Sequence, residues 1–384
     1  MEHECWQNAM LIELQALEEN HTWDIVPCPP IVKPIGSKWV FSVKLHFDGS
    51  LDRYKARLIA LGNKQEYGVD YEETFALVAK MTTVRTILAI AASQSWQLHQ
   101  MDVKNAFLHG DLQEEIYMKL PSSMTTSSSH DIFILLVYVD DIIITGTDCG
   151  LITKLQQLLH ATFHMKDLSQ LTYFLGLEVH HQASGIFVNQ HKYIQDIITL
   201  AGLEDTSSVD TPMEVNVKYR KDEGDLLNDP TLYRRLVGSL IYLTTTRPDI
   251  SYAVHQVSQF MSSPWHLHLV AVRCIIRYLR GSPTHGLFFP TGSSLQLVAY
   301  SDADWVGCPD THRSTTGWCM FLGDALISWR CKKQDHVSKS STEAEYRAMS
   351  TGCSEIVWLR GLLKELGFPQ TTSTPLHADN TSAI

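Results

Sequence analysis

The alternation of apolar and polar positions divides the chain into three stretches. Residues 1–123 mix helical and strand periodicities. Met124 to Ser129 reads M-T-T-S-S-S, a loop without periodicity. Ile132 to Val139 is nearly all apolar and Ile142–Thr145 resumes the run. That pattern predicts two buried strands meeting at Asp140-Asp141. An amphipathic helix is expected at about Leu151–Phe163, with Leu151, Leu155, Leu158 and Leu159 on one face, and another at Lys192–Leu200.

The second stretch opens with Gly202–Pro230, a polar segment that reads as a surface linker. Helical spacing resumes at Tyr233–Thr244, Ile250–Ser262 and Leu267–Leu279, punctuated by Pro248 and Pro264. The third stretch begins near Gly292. Strands are expected at Leu295–Tyr300, Gly317–Phe321 and Ala325–Arg330, the last two joined across Gly323-Asp324. Ser341–Leu366 predicts a long helix with Glu345, Met349, Gly352, Ile356, Leu359, Leu363 and Leu366 along one face. Gly367 and Pro369 stop it. Pro375–Ala378 is a last short strand. Three strands, a helix and a strand in that order suggest a three-layer α/β unit.

Composition narrows the classes. At roughly 150 residues per domain, 384 residues suggest two or three domains. With 44% apolar and 19% charged residues, the chain is not disordered as a whole. Its 42 acidic against 31 basic residues give −11, which opposes non-specific nucleic-acid binding unless the basic residues are segregated. Lys38 to Lys64 holds six basic residues and two acidic ones, a local surplus of four. The first ten residues have no apolar core, so no signal peptide is expected. The longest apolar stretch, Ile132–Ile144, is too short for a membrane span of about 20 residues. Eight cysteines without a C-x-x-C pair fit a reduced, intracellular and cytoplasmic protein, with nuclear access open, and exclude zinc-knuckle spacing.

Candidate chemistry centres on carboxylates. Asp140-Asp141 is either a solvated turn or a pair of cation ligands. Flanks this apolar favour the ligands, because acids gathered at a core edge are costly without a cation. Trp96–Val103 alternates like a strand and carries Asp102, with Phe107 five residues on.

Here the sequence resembles the reverse transcriptases of copia-type retrotransposons. Asp102-Val-Lys-Asn-Ala-Phe-Leu-His-Gly and Leu136-Val-Tyr-Val-Asp-Asp-Ile-Ile-Ile-Thr-Gly look like that family's two metal-binding motifs. Ile35-Gly-Ser-Lys-Trp-Val-Phe, Arg53-Tyr-Lys-Ala-Arg-Leu-Ile-Ala and Asp70-Tyr-Glu-Glu-Thr-Phe-Ala match upstream. Met165-Lys-Asp-Leu, Tyr173-Phe-Leu-Gly-Leu-Glu, Val237-Gly-Ser-Leu-Ile-Tyr-Leu and Thr246-Arg-Pro-Asp-Ile match downstream.

The resemblance implies an α+β reverse transcriptase fingers/palm over residues 1–201, a linker and helical connection over 202–290, and a C-terminal α/β RNase H-like domain, truncated, over 291–384. It implies that Asp102 and Asp140 bridge two Mg²⁺ ions (Mn²⁺ being an alternative), with Asp141 beside them and Val103 ligating through its carbonyl. Lys55 and Arg57, alternating on one strand face, become candidate triphosphate contacts. Phe107 becomes the gate that rejects a ribonucleotide 2′-hydroxyl, core packing being its plainer reading. Implied partners are an RNA template, a DNA primer, RNA–DNA hybrid and deoxynucleoside triphosphates, with no membrane.

In the family's ribonuclease H part, a strand-end Asp, a helical Glu and an Asp after a later strand hold Mg²⁺. Asp302, Glu345 and Asp379 match them. Alternatives stay open: Glu345 also fits a capping box with Thr342, Asp379 an N-cap, and Asp304 and Glu343 are neighbouring acids.

Two departures from the family matter. After Tyr117-Met-Lys-Leu-Pro the family continues through several tens of residues, including a Tyr-Gly-Leu-Lys-Gln-Ala-Pro-Arg motif, that have no counterpart here; the gap falls near residues 121–126. The ribonuclease H part is expected to stop short after Asp379-Asn380. Smaller changes are Leu77 for Pro, Asn63 for an aromatic and Ser169 for Gly. Impaired polymerase activity is therefore expected. Alternatives are a non-catalytic nucleic-acid-binding remnant and a nuclease alone.

Overall fold

The computed structural model describes residues 4–19, 37–45, 50–60, 80–103, 132–138, 141–163, 165–214, 217, 219–221 and 224–380. Two compact units emerge. One comprises residues 1–78, 103–126 and 159–166, and the other comprises 79–102, 127–158 and 167–384.

In the first unit, helix α1 (Glu4–Glu19) packs on an antiparallel hairpin of β1 (Ser37–Leu45) and β2 (Leu51–Ala60). Trp6 anchors the contact, edge-on to Phe41 and Tyr54 at centroid distances of 5.2 and 4.6 Å. The hairpin register sets Val40 opposite Arg57 and Ser42 opposite Lys55.

Among the described residues, three four-stranded sheets lie wholly or almost wholly in the second unit. The first has the order β4 (Phe133–Tyr138), β5 (Asp141–Gly146), β3 (His99–Val103), β6 (Met165–Gln170). Helix α2 (Met81–Ser93) is buried from Val84 onward, as an apolar run with few polar positions demands. Helix α3 (Cys149–Phe163) buries Ile152, Leu155 and Leu159 and exposes Leu158. The expected inward face was therefore rotated: Leu158 was counted in, and Ile152 was missed.

The second sheet runs β10 (Gly286–Pro290), β9 (Gly185–Asn189), β8 (Leu177–Gln182), β7 (Tyr173–Phe174). Helices α4 (His191–Ala201), α5 (Thr231–Leu243), α6 (Ser251–Ser258) and α7 (His266–Gly281) share a core that includes Ile198, Val237, Leu240, Val272 and Ile276. Gly202 caps α4 in the left-handed conformation at φ 63°, where a side chain would be strained. The helix expected at Ile250–Ser262 is shorter, because Pro248–Ile250 forms a 3-10 turn and α6 ends at Ser258. The segment read as a surface linker is fastened down. Met213, Tyr219 and Leu227 pack on the helical core, and Arg277 Nε donates to the Ser207 carbonyl at 2.7 Å.

In the third sheet, β13 (Ala325–Lys333), β12 (Thr315–Leu322) and β11 (Leu297–Ala303) are antiparallel, and β14 (Leu376–His377) joins β11 in parallel. Helix α8 (Ser341–Glu365) packs on β11 and β12 through Ala344, Ala348, Gly352, Leu359 and Leu363. Ala348, and not Met349, is the fully buried residue at that turn. Strand β11 starts two residues later than the pattern suggests and runs on to Ala303, because its last inward positions, Ser301 and Ala303, are small and carry little hydropathy signal. Among the described residues, no helix is long and apolar enough to cross a membrane.

Candidate metal centres

The ladder of β3 and β5 sets Asp102 opposite Asp141, and the ladder of β4 and β5 sets Tyr138 opposite the same Asp141. The core beside them is apolar: Met101, Ile142, Ile143 and Ile144 are buried. Gln100, one residue pair away on the Asp102 face, donates from Nε2 to Asp141 Oδ1 at 3.1 Å. Sequence reasoning missed Gln100, although its two-residue spacing from Asp102 was a usable signal. Asp140 and Phe107 lie outside the described residues, as do Leu77 and Asn63. Val103 closes β3, with its side chain outside the description.

On the hairpin of the first unit, Ala56 is buried between half-buried Lys55 and exposed Arg57. Burial lowers the Lys55 pKa, and the charges of Arg57, Lys44 and Arg53 lower it further. The positive residues are therefore crowded on this hairpin, as the local surplus of basic residues suggests.

Three carboxylates from separate elements converge in the third sheet. Asp302 comes from β11, Glu345 from the second turn of α8, and Asp379 follows β14. One oxygen of each lies within 4.8 Å of the others. Glu345 is buried; its Oε1 accepts the Ala303 amide at 3.2 Å, and its Oε2 has no hydrogen-bond partner. Burial raises the Glu345 pKa; Asp302 and Asp379 add to the rise, and the Ala303 amide works against it. An orphaned buried carboxylate oxygen beside two further acids fits a hard divalent cation.

The competing acids have other occupations. Ser340 caps α8, its Oγ accepting the Glu343 amide at 3.1 Å. Glu343 accepts the Lys339 amide at 2.8 Å and pairs with Arg347 at 2.8 Å. The cap is therefore built from Ser340 and Glu343, leaving Glu345 free of that role. Asp304 Oδ1 accepts the Thr315 amide at 2.5 Å.

The Thr246-Arg-Pro-Asp motif is structural in this fold. Arg247 is 1% exposed and forms a two-pronged pair with Asp249, with further bonds to the Ser282 carbonyl and hydroxyl. Thr246 donates to Gln190 Oε1 at 2.7 Å.

The family described as Reverse transcriptase (RNA-dependent DNA polymerase) matches residues 20–133 and 124–215. The two pieces overlap at residues 124–133. The whole chain is similar to the Retrovirus-related Pol polyprotein from transposon RE1 of Arabidopsis thaliana, at 41% identity. It is also similar, over 98% of its length, to the Retrovirus-related Pol polyprotein from transposon TNT 1-94 of Nicotiana tabacum, at 36% identity. An uncharacterised mitochondrial protein of Arabidopsis thaliana is 43% identical over 58% of this chain and 93% of its own length. The chain spans 30% of the RE1 polyprotein and 33% of the TNT 1-94 polyprotein. The RE1 alignment covers 433 positions against 384 residues, so at least 49 positions of that relative have no counterpart here. Motifs, paired family matches and whole-chain similarity together show that the chain belongs to the reverse transcriptase family of copia-type retrotransposon Pol polyproteins.

Proposed function

We propose that the chain is a reverse transcriptase and ribonuclease H segment of a retrotransposon polyprotein, with fingers and palm over residues 1–201, a helical connection over 202–290 and an RNase H-like domain over 291–384. It acts on RNA–DNA hybrid in the cytoplasm, with access to the nucleus. The observation that carries the nuclease half is the convergence of Asp302, Glu345 and Asp379 within 4.8 Å.

The residues divide the work by position. Asp302, Glu345 and Asp379 would hold Mg²⁺ or Mn²⁺, as would Asp102, Asp140 and Asp141 with the Val103 carbonyl. Bound there, the cation supplies Lewis-acid activation of an oxygen nucleophile and neutralises phosphate charge. The Ala303 amide fixes Glu345 from behind, so the free Oε2 needs little reorganisation. Gln100 restrains Asp141 in the same way. Lys55 and Arg57 present charge to the triphosphate of the incoming nucleotide, and Phe107 excludes a 2′-hydroxyl.

Polymerase activity is impaired in this chain. At least 49 positions of the relative have no counterpart here, the motif reading puts a gap near residues 121–126, and catalysis depends on positioning as much as on ligands. The same gap supports a second reading, a remnant that binds hybrid without turnover. Primer extension on an RNA template and cleavage of a labelled hybrid, both with Mg²⁺ or Mn²⁺, separate these. The expected result is background extension with slow cleavage that disappears in Glu345→Gln. Extension abolished by Asp140→Asn would refute the impairment. Hybrid binding without cleavage, unchanged when Asp140 and Asp302 are neutralised, would establish the remnant.

A further inference from the structure

We propose that Cys308 and Lys333 form an oxidation site, at which a peroxide converts their hydrogen bond into a covalent cross-link between sulfur and nitrogen. Lys333 Nζ lies 2.9 Å from Cys308 Sγ. The chemistry needs neither a metal ion nor nucleic acid, so it stands apart from the nuclease reading.

Two separate parts of the fold hold the pair. Cys308 sits in the connection between β11 and β12. Its amide donates to the Arg313 carbonyl at 3.2 Å, and its carbonyl accepts the His312 amide at 2.9 Å, which closes a small loop. Lys333 ends β13, opposite Thr315 at the start of β12. Its amide donates to His255 Nε2 of α6 at 2.9 Å. Both backbones are anchored, so the amine and the thiol stay within reach of each other, which makes their reaction effectively intramolecular. Lys332, one residue earlier, alternates to the other face of the strand.

The surroundings favour this cysteine. Cys308 and Lys333 are both half-buried, which leaves a path for a molecule as small as peroxide. Burial raises the Cys308 pKa, but hydrogen bonds, that of Lys333 foremost, bring it below the ordinary thiol value. Burial raises the thiols of Cys274 and Cys319 and pushes Cys331 up to about 12. The thiolate is the form that oxidises, so Cys308 reacts ahead of these three. Among the described residues, no other cysteine is hydrogen-bonded to a lysine.

The reaction balances with one peroxide. The Cys308 thiolate attacks one peroxide oxygen, an S–O bond forms and the O–O bond breaks. The hydroxide that leaves takes a proton from the Lys333 ammonium and departs as water. This produces a sulfenic acid beside a neutral amine. A sulfenic acid condenses with a nearby nitrogen. The Lys333 amine attacks Sγ, an S–N bond forms, the S–O bond breaks, and the hydroxyl leaves with an amine proton as a second water. Sulfur loses two electrons and the peroxide gains them. The product ties the connection that follows the Asp302 strand to the end of β13.

The test treats the full chain with a few equivalents of hydrogen peroxide, alkylates it, digests it with chymotrypsin without reductant and reads the peptides by mass spectrometry. The expected product joins the Cys308 and Lys333 peptides and weighs two hydrogens less than their sum. Dithiothreitol should part them. Lys333→Arg keeps the cation and loses the nucleophile; the cross-link should vanish, with Cys308 trapped by dimedone as a sulfenic acid. Cys308→Ser should lose both signals, and Lys332→Arg should keep the cross-link. Wild-type Cys308 left unreacted, trapped by dimedone without a cross-link, or joined to another cysteine overturns the proposal. A cross-link that survives Lys333→Arg overturns the assignment to that lysine, and a joined species heavier by an oxygen overturns the direct bond. Hybrid cleavage is not read, so a failure of the nuclease reading leaves this result standing.

Discussion

Asp102 stands directly opposite Asp141 in the antiparallel ladder of β3 and β5. Like charges in that position repel across the ladder, beside the buried Ile142–Ile144 core. Gln100 provides one hydrogen bond to Asp141. Asp141→Asn should therefore stabilise the metal-free protein by about 0.5–1 kcal/mol and reduce the gain in thermal midpoint on adding Mn²⁺. Thermal unfolding with and without Mn²⁺ measures both. A less stable variant would show that the pair is not repulsive.

Glu345 and Glu343 lie two residues apart on α8 and do opposite things. Glu343 closes the cap of α8, and Glu345 turns into the triad. Glu345→Gln should weaken Mn²⁺ binding by an order of magnitude or more, whereas Glu343→Gln should leave it unchanged. Calorimetric titration of Mn²⁺ into each variant distinguishes them. Equal losses in the two variants would remove the distinction drawn from the cap.

Asp249 supports Arg247, which has no route to water. Burial raises the Asp249 pKa, but the hydrogen bonds and charge of Arg247 outweigh it and leave the value below the ordinary one. A carboxylate with a depressed folded pKa contributes stability above its unfolded value near 4, and that stability is lost as pH falls through the folded value. Asp249→Asn should cost about 2 kcal/mol at pH 7, less than for a fully buried pair because the Asp249 side chain is 36% exposed. Urea denaturation should show the gap between wild type and variant closing toward pH 3. A gap independent of pH would mean that the charge is not what supports Arg247.

Ser169 occupies the left-handed region at φ 64°, a conformation that favours glycine. Its amide donates to Asp167 Oδ1 at 2.7 Å, which holds the turn despite the strain. Ser169→Gly should stabilise the chain by about 0.5–1 kcal/mol, read as a higher thermal midpoint. A lower midpoint would mean that the Ser side chain contributes more than its backbone costs.

Lys333 Nζ donates to Cys308 Sγ at 2.9 Å. Burial raises the Cys308 pKa, but that hydrogen bond and those of Thr311 and Asp310 bring it below the ordinary thiol value. Burial, with Asp304 nearby, pushes Cys331 up to about 12. Iodoacetamide at neutral pH, followed by peptide mapping, should label Cys308 well before Cys331, and Lys333→Met should slow Cys308. The reverse order would show that the lysine does not govern the thiol.

Much of the local structure was legible without coordinates. Helices α4, α5, α7 and α8 and the turn at Gly323 stand within a few residues of their expected positions, because periodicity, proline and glycine act over a few residues at a time. The family was legible too, since ordered motifs survive along one dimension. What the sequence left open were choices between neighbours. The pattern offered Thr342 as the cap of α8, where Ser340 makes it, and Glu343 or Glu345 could join a metal site. Asp304 could rival Asp302, and Leu158 could face inward. Some were settled locally, Lys339 and Arg347 each engaging Glu343 from four residues away; others needed strand pairing, Thr315 engaging Asp304 across the turn between β11 and β12 and β14 carrying Asp379 to β11. The sequence by itself determined which residue types and elements were available. Only the tertiary structure decided which carboxylates remain unpaired, because pairing depends on distance in space and desolvation on everything packed around the group.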